Sequence, residues 1–133
     1  MNVLLSIKPK YVSLIMRGVK KYEFRRKIFR NEIEKVYIYS TFPARRVIGF
    51  FMVEGILNDT PEEIWEKCKN ESGVTDIEFF EYFRGSETAF AIKIGKVEQL
   101  REPIEIKKTS LTAPQSFCYL TQDKEEGLVN GII

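Results

Sequence analysis

The residues with the clearest chemical potential lie in the stretch 18–27, which reads GVKKYEFRRK. Six of its ten side chains are charged, while Tyr22 and Phe24 alternate with them as in a half-buried strand. A strand here points Glu23 and Arg25 to the same face of a sheet. Several cations surround Glu23 along the sequence. This carboxylate can pair with its neighbours, or it can accept from the amino group of a base while the cations hold phosphate.

Three more candidates lie close to this strand. Lys20 is in the turn directly before it. Ser6 and Lys8 end a first predicted strand, and Lys8 comes just before a helix N-terminus, where free amides favour an anion. An ordinary surface ion-pair cluster and a solvated lysine are the alternative interpretations of these charges.

Other candidates stand at the ends of other segments. Ser40 ends a predicted strand, Arg45 and Arg46 follow in the loop STFPARR, and Ser116 lies near the end of the chain. Each of these residues is also common in a solvated loop, so the pattern alone leaves both interpretations open.

The sequence contains no histidine. This excludes Ser-His-Asp and Cys-His catalysis and zinc sites of mixed Cys/His type. Acid–base chemistry would therefore need Lys, Glu, Asp, Tyr or Cys. Cys68 and Cys118 are isolated and are predicted to be reduced core residues. We predict neither a metal site nor a cofactor.

The charge of the chain is unevenly distributed. The net charge is +2, but residues 1–50 carry 12 Lys and Arg against 3 Asp and Glu, so the remainder is acidic. Within residues 8–30, Glu23 is the only acid among nine basic residues. A basic segment of this kind is either a solvated face or an electrostatic footprint for phosphate groups.

The helices and strands that must position these residues are predicted from the spacing of apolar residues and from proline, glycine and capping residues at their ends. Pro9 is predicted to open a helix that ends at Gly18, and the capping boxes beginning at Thr60 and Thr75 are predicted to open two more. Alternating segments predict strands at 2–8, 21–26, 35–40, 46–57, 88–98 and 102–106. Together they predict an α+β domain of five to six strands, built as a small, strongly curved sheet or barrel with flanking helices.

The length of 133 residues predicts one domain. We place it at residues 1–122, followed by a C-terminal tail at 123–133 that carries little pattern. The first residues are not typical of a signal peptide, and no apolar run approaches the roughly 20 residues of a membrane span. The sequence therefore predicts a cytoplasmic protein that does not bind membranes, and it leaves the oligomeric state open.

The segment LLSIKPKYVSLIMRGVKKYEFRRK resembles the opening of ASCH domains, which are relatives of the PUA RNA-binding domain. Those domains have a strand ending near SIKP, a helix, and a G-x-K-x-x-E-x-R stretch, which here runs from Gly18 to Arg25. The resemblance continues in VYIYSTFPARRVIGFFMVEGIL and in AIKIGKVEQLREPIEI, and it reaches about residue 120.

This resemblance implies a PUA-like β-barrel with a cleft lined by the Lys-Glu-Arg strand. It also implies RNA or nucleotide binding in RNA metabolism, translation or transcription-associated regulation. One branch of the family removes the acetyl group from N4-acetylcytidine with a Lys, a Thr and a Glu, and ribonuclease activity is described for another. The Lys of the first branch falls on Lys20 and its distant Glu near Glu71. Its Thr falls on Glu23, which lacks the hydroxyl.

The leading prediction is a domain that binds RNA or a nucleotide. Phosphate would be held by cations, and Glu23 would orient them or read a base edge; the predicted ligand-binding set is Ser6, Lys8, Lys20, Glu23, Arg25, Ser40, Arg45, Arg46 and Ser116. The alternative is a small hydrolase acting on modified nucleosides or on RNA, with Lys20 as base or nucleophile and Glu23 or Glu71 moving protons. A third interpretation is a protein-interaction domain with an incidental basic face.

Overall fold

Six strands form a single sheet that curls into a half-barrel with helices around it. The computed structural model describes residues 1–109 and 111–130. The strands are β1 (Asn2–Ile7), β2 (Tyr22–Arg25), β3 (Lys35–Ser40), β4 (Arg46–Asp59), β5 (Ala89–Glu105) and β6 (Phe117–Leu120). Their spatial order is β2-β5-β4-β3-β1-β6, with β1 and β3 parallel and the other neighbours antiparallel. This confirms the predicted α+β, PUA-like fold.

In the part of the chain that the structure describes, four α-helices flank the sheet, and the first three begin at the predicted signals. They are α1 (Pro9–Met16), α2 (Pro61–Cys68), α3 (Asp76–Tyr82) and α4 (Gln122–Asn130). Gly18, at φ 75°, follows the end of α1 in the left-handed conformation that glycine tolerates. The hydroxyls of Thr60 and Thr75 accept from the backbone N–H groups of Glu63 and Glu78, at 3.3 and 3.1 Å. None of the helices in this part of the chain is long and apolar enough to cross a membrane.

Strand β1 is covered on both faces, which is why its side chains are apolar at nearly every position. Leu5 faces a cluster that includes Ile15 of α1, whereas Leu4 faces a second cluster that includes Leu128 of α4. A third cluster packs α2 and α3 against β2 and β5 around Phe79. The first two clusters hold the end of β1 in place, and the third fixes α3 opposite it.

Irregular pairing of the two long strands accompanies the curl of the sheet. The register between β4 and β5 shifts at three points, and such bulges bend and twist a strand. At the first of them Gly49 lies against the carbonyl oxygen of Glu98, so closely that a Cβ would collide with it. A glycine is therefore required at this point of β4.

The structure differs from the sequence-based elements in two places. The strands predicted at 88–98 and 102–106 are one continuous strand, which pairs with β4 on both sides of the junction, at Gln99 with Gly49 and at Ile104 with Val47. The predicted tail from residue 123 is helical as far as Asn130. Leu128 is buried there, and Glu125 accepts from Asn2 at 2.7 Å and from Tyr37 at 3.0 Å. Residues 131–133 of that predicted tail lie outside the described residues.

Candidate functional site

A cleft of about 710 Å³ opens between the end of β1, strand β2 and the helices α1 and α3. Five of the residues singled out in the sequence line it, namely Ser6, Lys8, Lys20, Glu23 and Arg25. Two segments separated along the chain, residues 6–8 and 20–25, thus meet at one concave surface.

Lys20 is the most unusual side chain of the cleft because only 2% of its surface is exposed. Its Nζ donates to the carbonyl oxygen of Ser72 at 2.7 Å. It also lies 4.7 Å from the centre of the Phe24 ring and 5.2 Å from that of Tyr11. Burial lowers the pKa of Lys20 and the charge of Arg25 lowers it further, while the carboxylate of Glu23 acts in the opposite direction.

The loop between α2 and α3 packs against Lys20 and accepts a hydrogen bond from it. The buried Ser72 hydroxyl donates to the carbonyl oxygens of Lys69 and Val74, at 3.0 and 3.1 Å, and thereby fixes the loop that presents its own carbonyl to Lys20. Gly73, at φ 68°, packs against the alkyl chain of Lys20, where a Cβ would come within 2.7 Å of Lys20 Cβ. The loop therefore holds both the ammonium group and the alkyl chain of this lysine.

Glu23 and Arg25 form an ion pair on the cleft side of β2. Both Nε and Nη2 of Arg25 donate to Oε2 of Glu23, at 3.2 and 2.6 Å. The two side chains are only 7% and 15% exposed, so solvent screens this pair weakly. No protein donor among the described residues contacts Oε1 of Glu23, which leaves this oxygen able to accept from a ligand.

Arg25 also joins the two ends of the curled sheet. Its Nη2 donates to the main-chain oxygen of Ser6 in β1 at 2.8 Å, and its Nη1 donates to the Ser116 hydroxyl at 3.4 Å, just before β6. Strands β2 and β6 are the two edges of the sheet. We call this contact between Arg25, Ser6 and Ser116 the arginine seam.

Glu78 closes the cleft on the side of the helices. Its Oε1 accepts from the backbone N–H of Thr75 at 3.2 Å and completes the capping box of α3. Its Oε2 accepts from Lys10 at 2.6 Å and from the Tyr11 hydroxyl at 2.9 Å, both on α1. The Lys10 ammonium, the Thr75 backbone and the Tyr11 hydroxyl together lower the pKa of Glu78 to about 2. One carboxylate therefore links the two helices that form one wall.

Replacing Glu78 with glutamine is expected to remove an acid-sensitive part of the stability. A carboxyl whose folded pKa is depressed stabilises the protein above its unfolded pKa, near 4.5, and loses that contribution as the pH falls towards 2. The free energy of unfolding of the unmodified chain should exceed that of Glu78→Gln by on the order of 1 kcal/mol at pH 6, since solvent screens this partly exposed cluster. Urea denaturation at pH 6 and pH 3 measures the difference.

The exposed Glu87 offers a matched control. Glu87→Gln should lose as much free energy of unfolding between pH 6 and pH 3 as the unmodified chain does. The difference in free energy of unfolding between the unmodified chain and Glu78→Gln should be smaller at pH 3 than at pH 6. An equal loss in all three proteins would contradict the assigned role of Glu78.

The remaining predicted residues lie outside the cleft lining. Ser40 is buried at the end of β3, and the next residue, Thr41, lines the cleft instead. Arg45 and Arg46 line a second, smaller depression. Glu71 ends a short 3-10 turn and is exposed, and its backbone oxygen accepts from Lys21 N–H at 2.9 Å.

Sequence reasoning missed several members of the site. Tyr11, Glu78 and Tyr82 line the cleft, and Tyr82 is 39% exposed. Tyr11 and Glu78 are 67 positions apart in the sequence, so no local pattern predicts their contact. The capping box identified Glu78 as a helix cap but carried no signal for its second role.

The arrangement can bind an anionic, partly aromatic ligand. Lys8, Lys20 and Arg25 supply positive charge, and Oε1 of Glu23 supplies an acceptor. Tyr11 and Tyr82 supply aromatic surface. Within residues 1–109 and 111–130, no group of three or more Cys, Asp and Glu side chains is placed to hold a metal ion.

Comparison with known proteins identifies relatives over most of the chain. The model of the ASCH domain family matches residues 5–117. A Zymomonas mobilis protein named ASCH domain-containing ribonuclease is 28% identical over 135 residues, which cover 97% of this chain and 90% of the relative. The large ribosomal subunit protein uL22 of Ureaplasma parvum is 26% identical over 121 residues, which cover 90% of this chain and 39% of that protein.

Solved structures have the same fold. The crystal structure of ASCH from Zymomonas mobilis superposes with a TM-score of 0.89 at 28% identity, covering 97% of this chain and 94% of that one. A tyrosine-to-phenylalanine variant of the same protein gives a TM-score of 0.89 at 27% identity, covering 97% and 96%. The elements that form the cleft thus belong to a fold that has been observed experimentally.

Proposed function

Because this chain belongs to the ASCH domain family, we propose that it binds single-stranded RNA in the cleft and cleaves it as a ribonuclease. The observation that carries the binding is the buried Lys20 beside Arg25 in an open cleft. A desolvated ammonium group is costly to maintain, and an anionic ligand offsets that cost. Cleavage is proposed because the similar Zymomonas mobilis protein is named a ribonuclease.

The shape and lining of the cleft favour single strands over duplexes. Its volume lies within the roughly 300–1,000 Å³ typical of ligand pockets, which suits one or two nucleotides rather than a helix. Unpaired bases can stack on aromatic side chains such as Tyr11 and Tyr82, while Arg25 and Lys8 contact phosphate. Base pairing would hide the base faces from these rings.

The deacetylase alternative has less support from the site. Glu23 stands where that branch of the family has a threonine, and its Oε2 is held by two hydrogen bonds from Arg25. A carboxylate fixed in this way cannot supply the missing hydroxyl. Lys20, by contrast, remains suited to proton transfer because its pKa is lowered.

Labelled RNA tests both parts of the proposal. The protein is incubated with a single-stranded RNA, its duplex and the DNA of the same sequence, with magnesium and with EDTA, and N4-acetylcytidine is tested in parallel. We expect binding and cleavage of the single-stranded RNA. Cleavage by the 2′-hydroxyl leaves a 2′,3′-cyclic phosphate, whereas attack by water does not, so the product ends identify the nucleophile.

Salt dependence reports the contacts to phosphate. Replacing the exposed Lys8 with methionine should reduce the slope of log affinity against log salt by about 0.7, as expected for one lost phosphate contact on a single strand. The exposed Lys93 of β5, which is not part of the cleft lining, serves as control, and Lys93→Met should leave the slope unchanged. Binding without cleavage would overturn the ribonuclease assignment, and absence of binding would overturn the proposal as a whole.

A further inference from the structure

The loop between β3 and β4 connects the cleft with the second depression. Thr41, at the start of the loop, lines the cleft. Arg45 and Arg46, at its end, line the second depression of about 250 Å³ together with Glu105 and Lys107. The two concave surfaces are therefore separated by only a few residues of one loop.

Phe42, in the loop between Thr41 and Pro43, is the most exposed aromatic side chain among the described residues, with 70% of its surface accessible. The guanidinium carbon of Arg45 lies 5.2 Å from the centre of its ring. Arg45 adopts φ 51°, a left-handed conformation that residues with a Cβ disfavour. The loop thus keeps an arginine over an exposed aromatic ring although the local backbone preference opposes it.

The second depression, whose lining includes Pro43 directly after Phe42, carries three cations and one carboxylate. Arg46 is paired with Glu105 at 2.9 Å, which neutralises one cation and fixes its position. Arg45 and Lys107 are exposed on the same depression. An exposed ring with one cation over it and a second cation on the adjoining depression is a combination that proteins use to bind single-stranded nucleic acids, since every base can stack and every nucleotide brings a phosphate.

We propose that Phe42 is a stacking platform for a base that flanks the nucleotide in the cleft, with Arg45 and Lys107 contacting the neighbouring phosphates. The inference rests on the proposed RNA binding in the cleft and extends it to a defined path along the loop. The occupant is an RNA base, because the surface is basic and because Thr41 makes it continuous with the cleft.

The test compares a short and a long RNA. A dinucleotide can occupy the cleft alone, whereas a single-stranded octanucleotide can also reach the loop. Phe42→Leu, which keeps an apolar side chain but removes the ring, should weaken octanucleotide binding about tenfold and leave dinucleotide binding unchanged. Phe42→Trp should restore the affinity for the octanucleotide.

Phe80 provides a matched control, because it is another partly exposed phenylalanine, located on α3. Phe80→Leu should leave binding of both RNAs unchanged. Unchanged octanucleotide binding by Phe42→Leu, or an equal loss for both RNAs, would overturn the platform while leaving RNA binding in the cleft intact. Altered self-association of Phe42→Leu with unchanged RNA binding would assign the ring to a protein contact and would also overturn it.

If the proposed RNA binding in the cleft is wrong, the result differs from the one that overturns only the Phe42 platform. If the unmodified protein binds neither RNA, the cleft is not an RNA site, and the platform is overturned with it. The binding of the unmodified protein therefore separates the two failures before any variant is compared.

Discussion

Replacing Lys20 with methionine is expected to reduce RNA cleavage at least 100-fold while changing the stability of the protein by no more than about 1 kcal/mol. Methionine has a similar unbranched chain and can fill the space between Gly73 and the rings of Tyr11 and Phe24. The substitution removes a desolvated ammonium group, which favours stability. It also leaves the Ser72 carbonyl without its donor, which opposes this gain.

Steady-state cleavage and urea denaturation of the same preparations check this prediction. Lys93→Met is the matched control, since it removes a lysine that is half exposed and outside the cleft. It should leave both cleavage and stability unchanged. Lys20→Met with cleavage close to that of the unmodified protein would show that Lys20 does not act in the reaction.

Lys20→Arg tests whether a positive charge at this position is sufficient for cleavage when the side chain has a different shape. The larger guanidinium group has to fit where Gly73 already contacts the lysine chain, so we expect a loss of stability of about 1–3 kcal/mol from overpacking. Retention of the positive charge should not restore cleavage, because arginine does not give up a proton near neutral pH.

The second large effect, a loss in the free energy of unfolding, is expected when the Glu23–Arg25 pair is broken. Arg25→Met leaves the poorly exposed Glu23 carboxylate without its cation and removes the bond to the Ser6 carbonyl, so it should lower the free energy of unfolding by about 3 kcal/mol. Glu23→Gln should cost less, because it leaves Arg25 bound to Ser6. The double variant should be more stable than Arg25→Met alone, because it leaves no unpaired buried carboxylate.

Urea denaturation of the four proteins in a double-mutant cycle gives the coupling energy of the pair. The exposed pair formed by Glu66 of α2 and Lys69 just after it, at 3.1 Å, serves as comparison and should show a coupling below about 1 kcal/mol. Equal coupling in the two pairs would mean that burial does not strengthen the Glu23–Arg25 interaction. RNA binding should be weakened by Arg25→Met, which removes the proposed phosphate contact, and less affected by Glu23→Gln.

Local patterns predicted the parts of the site that lie on single elements. The alternation around Glu23 and Arg25 placed both on one face of a strand, and they pair there at 2.6 Å. The proline and capping signals located the helices that form the wall of the cleft. Such features are encoded within a few residues, so a single sequence suffices to identify them.

Features that depend on packing between distant segments were not predictable in this way. The burial of Lys20 results from the loop at Ser72 and Gly73, about 50 residues further along the chain. The continuity of β5 depends on its pairing with β4 at Gln99 and again at Ile104, which brings together segments that are about 50 residues apart. Helix α4 has few apolar residues, and its position depends on Leu128 and on the bonds of Glu125 to β1 and β3.

The arginine seam has a consequence for how quickly a ligand can enter. The two edges of the half-barrel are joined there by the side chain of Arg25 and not by a ladder of backbone hydrogen bonds. Moving the Arg25 side chain breaks its bonds to Glu23, Ser6 and Ser116, whereas separating paired strands requires local unfolding of the sheet. Opening the seam is therefore expected to be faster than parting two paired strands, and a phosphate that binds Arg25 would not have to displace any strand.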